Sequence, residues 1–94
     1  MRISKYVEVH NLNGTSDNDP APYDSWKDFW EEYKGPFGKC SRIHCNNDAE
    51  YGCHVQKYQS SDRKWYIVPL CAGHNNSHEV FAVREDDLLA VSEK

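Results

Sequence analysis

The first clear pattern in the chain is an alternation of apolar and polar side chains over residues 3–10. Ile3, Val7 and Val9 fall on one side of this segment, and Ser4 and Glu8 fall on the other. A period of two is typical of a half-buried strand, so we predict a strand here. Residues 11–22 are rich in Asn, Gly, Asp, Ser and Pro, and this composition predicts a loop.

The next segment has a helical period. Ser25 can cap a helix that Gly35 ends, and Asp28 lies three residues after the cap. Four aromatic side chains form one stripe on that helix, at i, i+3, i+4 and i+7: Trp26, Phe29, Trp30 and Tyr33. We expect this stripe to pack in the core, against the metal-binding part of the chain proposed below. The alternative is a partner-binding surface, because Trp and Tyr dominate interface hot spots.

Two strand-like runs follow, over residues 53–58 and 64–70, and a polar connection over residues 59–63 joins them. This arrangement predicts a β-hairpin. Residues 79–83 and 88–91 predict two short strands around an acidic turn over residues 84–87. The pattern as a whole predicts a small α+β protein with a single domain over residues 1–94.

Charge and composition restrict the setting and the partners. The net charge is −4, while residues 35–74 carry five basic and three acidic side chains, which gives +2. That is a weak positive footprint for binding nucleic acid, which favours clustered Lys and Arg. No apolar run reaches the length of a membrane span. The alternating N-terminal segment does not resemble a signal peptide, so we expect a cytoplasmic location.

All four cysteines lie between residues 40 and 71, and two short pairs stand out. The pairs are Cys40-x4-Cys45 and Cys71-x2-His74, about 25 residues apart, as in sites that hold one tetrahedral zinc. We therefore predict a structural Zn²⁺ bound by Cys40, Cys45, Cys71 and His74. Two disulfides are the alternative, but the spacing and the expected cytosolic setting favour reduced thiolates.

The order of metal knuckle, hairpin and then a helix from near Cys71 resembles the treble-clef zinc arrangement. Within that group, the chain resembles a degenerate member of the HNH endonuclease family, of a kind common in bacteria and phages. The resemblance rests on the knuckle, on His54-Val55 in the first hairpin strand, and on the run VPLCAGH over residues 68–74. It covers about 40 of the 94 residues. It implies a zinc-binding core over residues 38–78, between an N-terminal part over 1–37 and C-terminal strands over 79–94.

In active members of that family, the histidine of the first strand deprotonates the attacking water, so the resemblance makes His54 the candidate general base. Cys53 stands where an acid is expected, and Tyr66 or Trp65 stands where an asparagine would orient the base. Asn75 stands where a helix histidine would bind the catalytic metal. These departures predict that the nuclease chemistry is lost and that His54 supports the site or the hairpin by hydrogen bonding.

A rearranged site is the alternative. If Cys53 were the fourth structural ligand, then His54, His74 and His78 could together hold a second metal, because His74 and His78 share one helix face. We favour His74 on the zinc and Cys53 as a small buried apolar side chain.

The predicted function is a non-catalytic zinc-binding interaction module, with a protein partner favoured over nucleic acid on charge grounds. An HNH-like metal-dependent nuclease with His54 as base is one alternative. Nucleic-acid binding without cleavage is another, and its candidate residues surround the hairpin: Arg42, Lys57, Arg63 and Lys64.

Overall fold

Five strands form one antiparallel sheet in the part of the chain that the computed structural model describes, namely residues 5–12, 23–73 and 79–93. The strands are β1 (Tyr6–Asn11), β2 (Tyr51–Lys57), β3 (Tyr66–Leu70), β4 (Phe81–Arg84) and β5 (Leu89–Ala90). Their order across the sheet is β4-β1-β2-β3-β5. The described residues also form one α-helix, α1 (Trp26–Lys34), so the fold is α+β, as the hydrophobic pattern predicts.

The strand predictions are confirmed for the described residues. β2 and β3 pair as the predicted hairpin, with Cys53 opposite Val68. The two C-terminal strands also form, around a 3-10 turn at Glu85–Asp87. They do not pair with each other, because β4 joins β1 at one side of the sheet and β5 joins β3 at the other.

The two faces of the sheet bury different clusters. The inner face carries the larger cluster, which includes Val9, Val55 and Val68 with Cys40 and Cys71. The helix face carries the smaller cluster, in which two sheet residues meet two from α1: Ile67, Leu89, Phe29 and Trp30. Alternation along each strand separates the two sets, since successive side chains point to opposite faces.

A loop segment connects the two sides of the sheet. The Ser41 backbone N–H donates to the Pro69 carbonyl of β3 at 2.8 Å, and the Ile43 N–H donates to the Ala82 carbonyl of β4 at 2.9 Å. β3 and β4 lie on opposite sides of the strand order. The sheet is therefore curled around its inner face, and the loop that carries the first cysteine pair covers that face.

Helix α1 begins and ends where the sequence predicts. The Ser25 hydroxyl accepts a hydrogen bond from the Asp28 N–H at 3.1 Å, and Gly35 ends the helix with a φ of 94°. Its aromatic stripe is buried at Phe29 and Trp30, whereas Tyr33 is 48% exposed. The core-packing prediction thus holds for the stripe's centre. The helix packs against the hairpin of the predicted zinc-binding part, as expected. It does so on the face of the sheet opposite the cysteines, where Ile67 and Leu89 provide its apolar contacts.

The described helices are all too short to cross a membrane, and none has the apolar character that a span requires. The helix predicted to start near Cys71 falls largely on residues 74–78, which lie outside the described residues. The loop of the first cysteine pair and the hairpin are present, and the treble-clef arrangement as a whole stays a prediction.

Candidate metal centre

Three of the four cysteines converge at the inner face of the sheet. The sulfur atoms of Cys40, Cys45 and Cys71 all lie within 4.8 Å of one another. Cys71 directly follows β3, and the other two belong to the loop that precedes β2. The structure therefore unites the first predicted pair with the first member of the second pair, across a separation of 26 residues between Cys45 and Cys71.

Hydrogen bonds at the base of the loop bring Cys40 and Cys45 together. The Cys40 N–H donates to the Asn47 carbonyl at 2.8 Å, and the Lys39 ammonium contacts the Asp48 carboxylate at 2.9 Å. At the tip, His44 adopts a positive φ of 67°, a left-handed conformation that reverses the chain within a single residue. The tight turn returns Cys45 toward Cys40, as a two-cysteine metal knuckle requires.

The spacing of the sulfur atoms fits a tetrahedral metal ion. The Cys45 and Cys71 sulfur atoms are 3.9 Å apart. Two thiolates bound to one tetrahedral zinc at about 2.3 Å each would be roughly 3.8 Å apart. Three thiolates are also a soft donor set, which selects metals such as zinc over magnesium or calcium. The three cysteines could hold a metal ion with little rearrangement.

Asn47 is a member of the site that the sequence did not indicate. Its side-chain amide donates to the Cys71 sulfur at 3.8 Å. Burial raises the pKa of the Cys71 thiol, but the Asn47 amide and the Gly73 N–H lower it, and the resulting pKa lies below the ordinary value. Donors of this kind stabilise a metal-bound thiolate and orient it. Only the turn at residues 43–44 brings Asn47 to Cys71, so no spacing rule could have found it.

Cys40 has the opposite environment. It is fully buried, and burial raises its pKa to about 11. In the absence of metal, this sulfur keeps its proton at neutral pH. A metal ion that binds here must displace that proton, so affinity is expected to fall as the pH falls.

Cys53 lies on the same face of the sheet but outside the three-sulfur cluster. It packs against the inner cluster from β2 and is partly buried. Its pKa is raised to about 12, first by burial and then by the charges of Cys40 and Cys71. This is the environment of the small apolar side chain that we predicted. His74 and His78, which the competing ligand assignments require, lie outside the described residues.

His54 lies on the other face of the sheet from the cysteines. It is 7% exposed, with the ring of Trp26 at 4.7 Å and that of Trp65 at 5.9 Å. Within the described part of the chain its Nε2 has no hydrogen-bond partner, and two indole rings pack against the imidazole. Burial lowers its pKa below the ordinary value.

The basic residues proposed for nucleic acid divide into two groups. Arg42 lies 3.7 Å from Glu79, and Lys57 lies 3.3 Å from Asp62. Arg63 and Lys64 are exposed on the β2–β3 connection. The structure therefore pairs two of the four cations with carboxylates and leaves the other two in solvent.

Comparisons of the chain with protein-family models, with curated proteins and with solved structures find no match.

Proposed function

We propose that this protein is a non-catalytic interaction module whose fold is stabilised by a structural Zn²⁺. Cys40, Cys45 and Cys71 would bind the ion, and His74 would complete the tetrahedron. The observation that carries the proposal is the 3.9 Å separation of the Cys45 and Cys71 sulfur atoms, within a group of three that spans no more than 4.8 Å. Apolar packing alone requires no such convergence of thiols from two distant segments.

The ion would connect the loop over residues 38–49 to the end of β3. That loop also supplies the backbone hydrogen bonds by which Ser41 and Ile43 join the two sides of the sheet. In a chain of 94 residues the apolar core is limited, so a metal that links distant segments contributes a large part of the stability. Binding of the ion and formation of this end of the fold are then coupled.

The position of His54 supports the non-catalytic assignment over the HNH-like alternative. A general base must reach a water molecule that can attack the substrate. His54 is enclosed by the rings of Trp26 and Trp65 and is almost fully buried. It lies on the face of the sheet opposite the three thiols. Activity through His54 would require the aromatic packing to open.

The candidate contacts for a protein partner are the exposed aromatic side chains, five among the described residues: Tyr6, Tyr33, Tyr51, Tyr58 and Trp65. Their exposed fractions range from 38% to 49%. Large amphipathic rings of this kind contribute disproportionately to protein interfaces. Nucleic acid is the second candidate, because the exposed Arg63 and Lys64 precede Trp65 directly, and cations beside a ring can bind phosphate while a base stacks.

The zinc site is tested by elemental analysis of the purified chain and by thermal unfolding with and without a strong chelator. We expect one zinc per chain. Chelation should lower the unfolding midpoint by about 8 to 16 °C or more, the shift that a loss of roughly 2 kcal/mol produces in a domain of this size. Absence of zinc, or two disulfides in the native protein, would overturn the proposal.

The non-catalytic assignment is tested with single- and double-stranded DNA and RNA in magnesium, manganese, nickel or zinc, with His54→Ala as the matched control. We expect no cleavage by either protein. Cleavage by the wild type that disappears in His54→Ala would establish the nuclease instead. Fluorescence anisotropy with the same oligonucleotides distinguishes the two partner classes, since binding that Trp65→Ala and Arg63→Ala both weaken would favour nucleic acid.

A further inference from the structure

We propose that Cys45 and Cys71 form a peroxide-sensitive pair, in which oxidation joins the two sulfur atoms and expels the metal. The expulsion rests on the proposed zinc site, whereas formation of the disulfide does not. The pair is a covalent modification site in addition to a ligand pair.

The geometry brings these two sulfur atoms within reach of each other. They are 3.9 Å apart, and a disulfide of about 2.05 Å would require them to approach by roughly 1.9 Å. Cys45 can supply this movement because it lies in an exposed turn, with His44 and Asn46 exposed on either side. Cys71 lies at the end of β3, which the sheet fixes in position.

Accessibility distinguishes Cys45, the thiol that reacts first, from the buried Cys40 and from Cys71, which is 3% exposed. Cys45 is partly exposed, so a small oxidant in solution can reach it, whereas Cys40 is fully buried. Cys53 lies outside the cluster and contacts the Tyr51 carbonyl through its sulfur at 3.9 Å. The amide of Asn47 donates to the Cys71 sulfur at 3.8 Å, which holds this atom in place beside the Cys45 sulfur.

The reaction balances with one hydrogen peroxide per disulfide. The Cys45 thiolate attacks a peroxide oxygen, the O–O bond breaks, and the departing hydroxide takes up a proton to become water. The resulting sulfenic acid at Cys45 is then attacked by the Cys71 thiolate. An S–S bond forms as the S–O bond breaks, and the second hydroxide leaves as water. The two sulfur atoms together lose two electrons, which reduce the peroxide.

Oxidation would remove two of the three described ligands at once. Cys40 alone, even with a histidine, cannot hold zinc with comparable affinity, because both lost ligands were thiolates. The new covalent bond would still connect the loop to β3. Loss of the metal is therefore expected without complete loss of the fold.

The experiment treats the full-length reduced protein with hydrogen peroxide and measures zinc release with a chromophoric chelator. Disulfides are mapped by mass spectrometry of unreduced peptides. We expect a Cys45–Cys71 disulfide, a mass lower by two hydrogen atoms, and zinc release in proportion to disulfide formation. Dithiothreitol should reverse both changes. Cys53→Ser is the matched control and should respond as the wild type does.

A disulfide that involves Cys40 or Cys53 in place of this pair would overturn the proposal, as would zinc release without any disulfide. Resistance of both thiols to excess peroxide would also overturn it. Cys45→Ser should form no disulfide. If the reduced protein contains no zinc but still forms the Cys45–Cys71 disulfide, the metal proposal fails and the modification site stands.

Discussion

Burial and hydrogen bonding give the four cysteines different chemistry. Cys40 is fully buried and its pKa is raised, whereas Asn47 and a backbone N–H favour the thiolate of Cys71. Cys53 lies nearby but outside the cluster, with its pKa raised chiefly by burial. Burial raises the pKa of both Cys40 and Cys53, but only Cys40 lies among the three clustered sulfur atoms, so Cys53 is the one expected to behave as a small apolar side chain.

This difference predicts contrasting effects of two alanine substitutions. Cys71→Ala should abolish zinc binding and most of the stability, because it removes a ligand and leaves the others unable to hold the ion. Cys53→Ala should retain the zinc and cost about 1 kcal/mol, as is usual for a partly buried small side chain. Zinc content and urea unfolding measure both effects. Loss of zinc in Cys53→Ala would assign that cysteine to the metal.

The burial of His54 predicts a loss of stability in acid. Burial lowers its pKa in the folded state, so the unfolded chain, with a pKa near 6.5, binds the proton more readily. Stability should therefore fall as the pH falls below about 6.5, by at most about 1.4 kcal/mol per pH unit from this group. Above that pH the protein keeps the full stability that this group provides, because His54 is then uncharged in both the folded and the unfolded state.

His54→Phe should remove this contribution while keeping an aromatic ring between Trp26 and Trp65. The free energy of unfolding, measured by urea at pH 7.5 and pH 5, should differ less in the variant than in the wild type. Acid release of a metal would affect both proteins equally, so the comparison isolates His54. Equal differences in the two proteins would contradict the prediction.

Helix α1 is positioned by a close contact between two backbones. A Cβ atom placed on Gly52 of β2 would lie 2.9 Å from the Lys27 nitrogen and 2.9 Å from the Trp26 carbonyl carbon. Neither of those backbone atoms can move without moving the helix. Glycine at this position therefore allows the first turn of α1 to lie directly on the sheet.

Gly52→Ala is expected to destabilise the protein by about 1 to 3 kcal/mol, the usual cost of overpacking at a rigid contact. Gly38→Ala is the matched control, because a Cβ there would meet nothing within 4 Å. Its effect should remain within about 0.5 kcal/mol. Urea unfolding measures the free energy of unfolding of both variants and of the wild type. Equal losses of stability in the two variants would show that the close contact at Gly52 does not require glycine.

Contacts far apart in sequence hold the curled molecule together. The Asp87 carboxylate accepts hydrogen bonds from the Ser41 hydroxyl and from the Arg84 side chain, each at 2.8 Å. The Trp30 indole N–H of α1 donates to the Asp87 carbonyl at 2.7 Å. A single residue after β4 thus contacts the cysteine loop and the helix, which lie on opposite faces of the sheet.

Asp87→Ala is expected to cost about 1 to 3 kcal/mol, because it leaves the partners of a carboxylate without their acceptor. Asp86→Ala is the control, since the hydrogen bond from Lys34 reaches the backbone carbonyl of Asp86, which the substitution retains. Thermal unfolding compares the two variants. A cost at Asp86 equal to that at Asp87 would contradict this account of how the faces are joined.

Local sequence patterns were sufficient to predict the secondary-structure elements of this protein. The cap at Ser25, the end of the helix at Gly35 and the β2–β3 hairpin all depend on residues within about twenty positions of one another, where propensity and alternation act directly. The spacing of the two pairs likewise predicted that Cys40, Cys45, Cys71 and His74 lie together, and the structure brings the three cysteines together.

Only the tertiary structure decided how these elements combine. Nothing in the local pattern placed α1 opposite the cysteines, separated β4 from β5, or buried His54 between Trp26 and Trp65. The local pattern did not predict the contact of Asn47 with Cys71 either, because the two residues are 24 positions apart. Such contacts depend on which pairing buries the most apolar surface and satisfies the most backbone groups over the whole chain, and a local period contains no information about that choice.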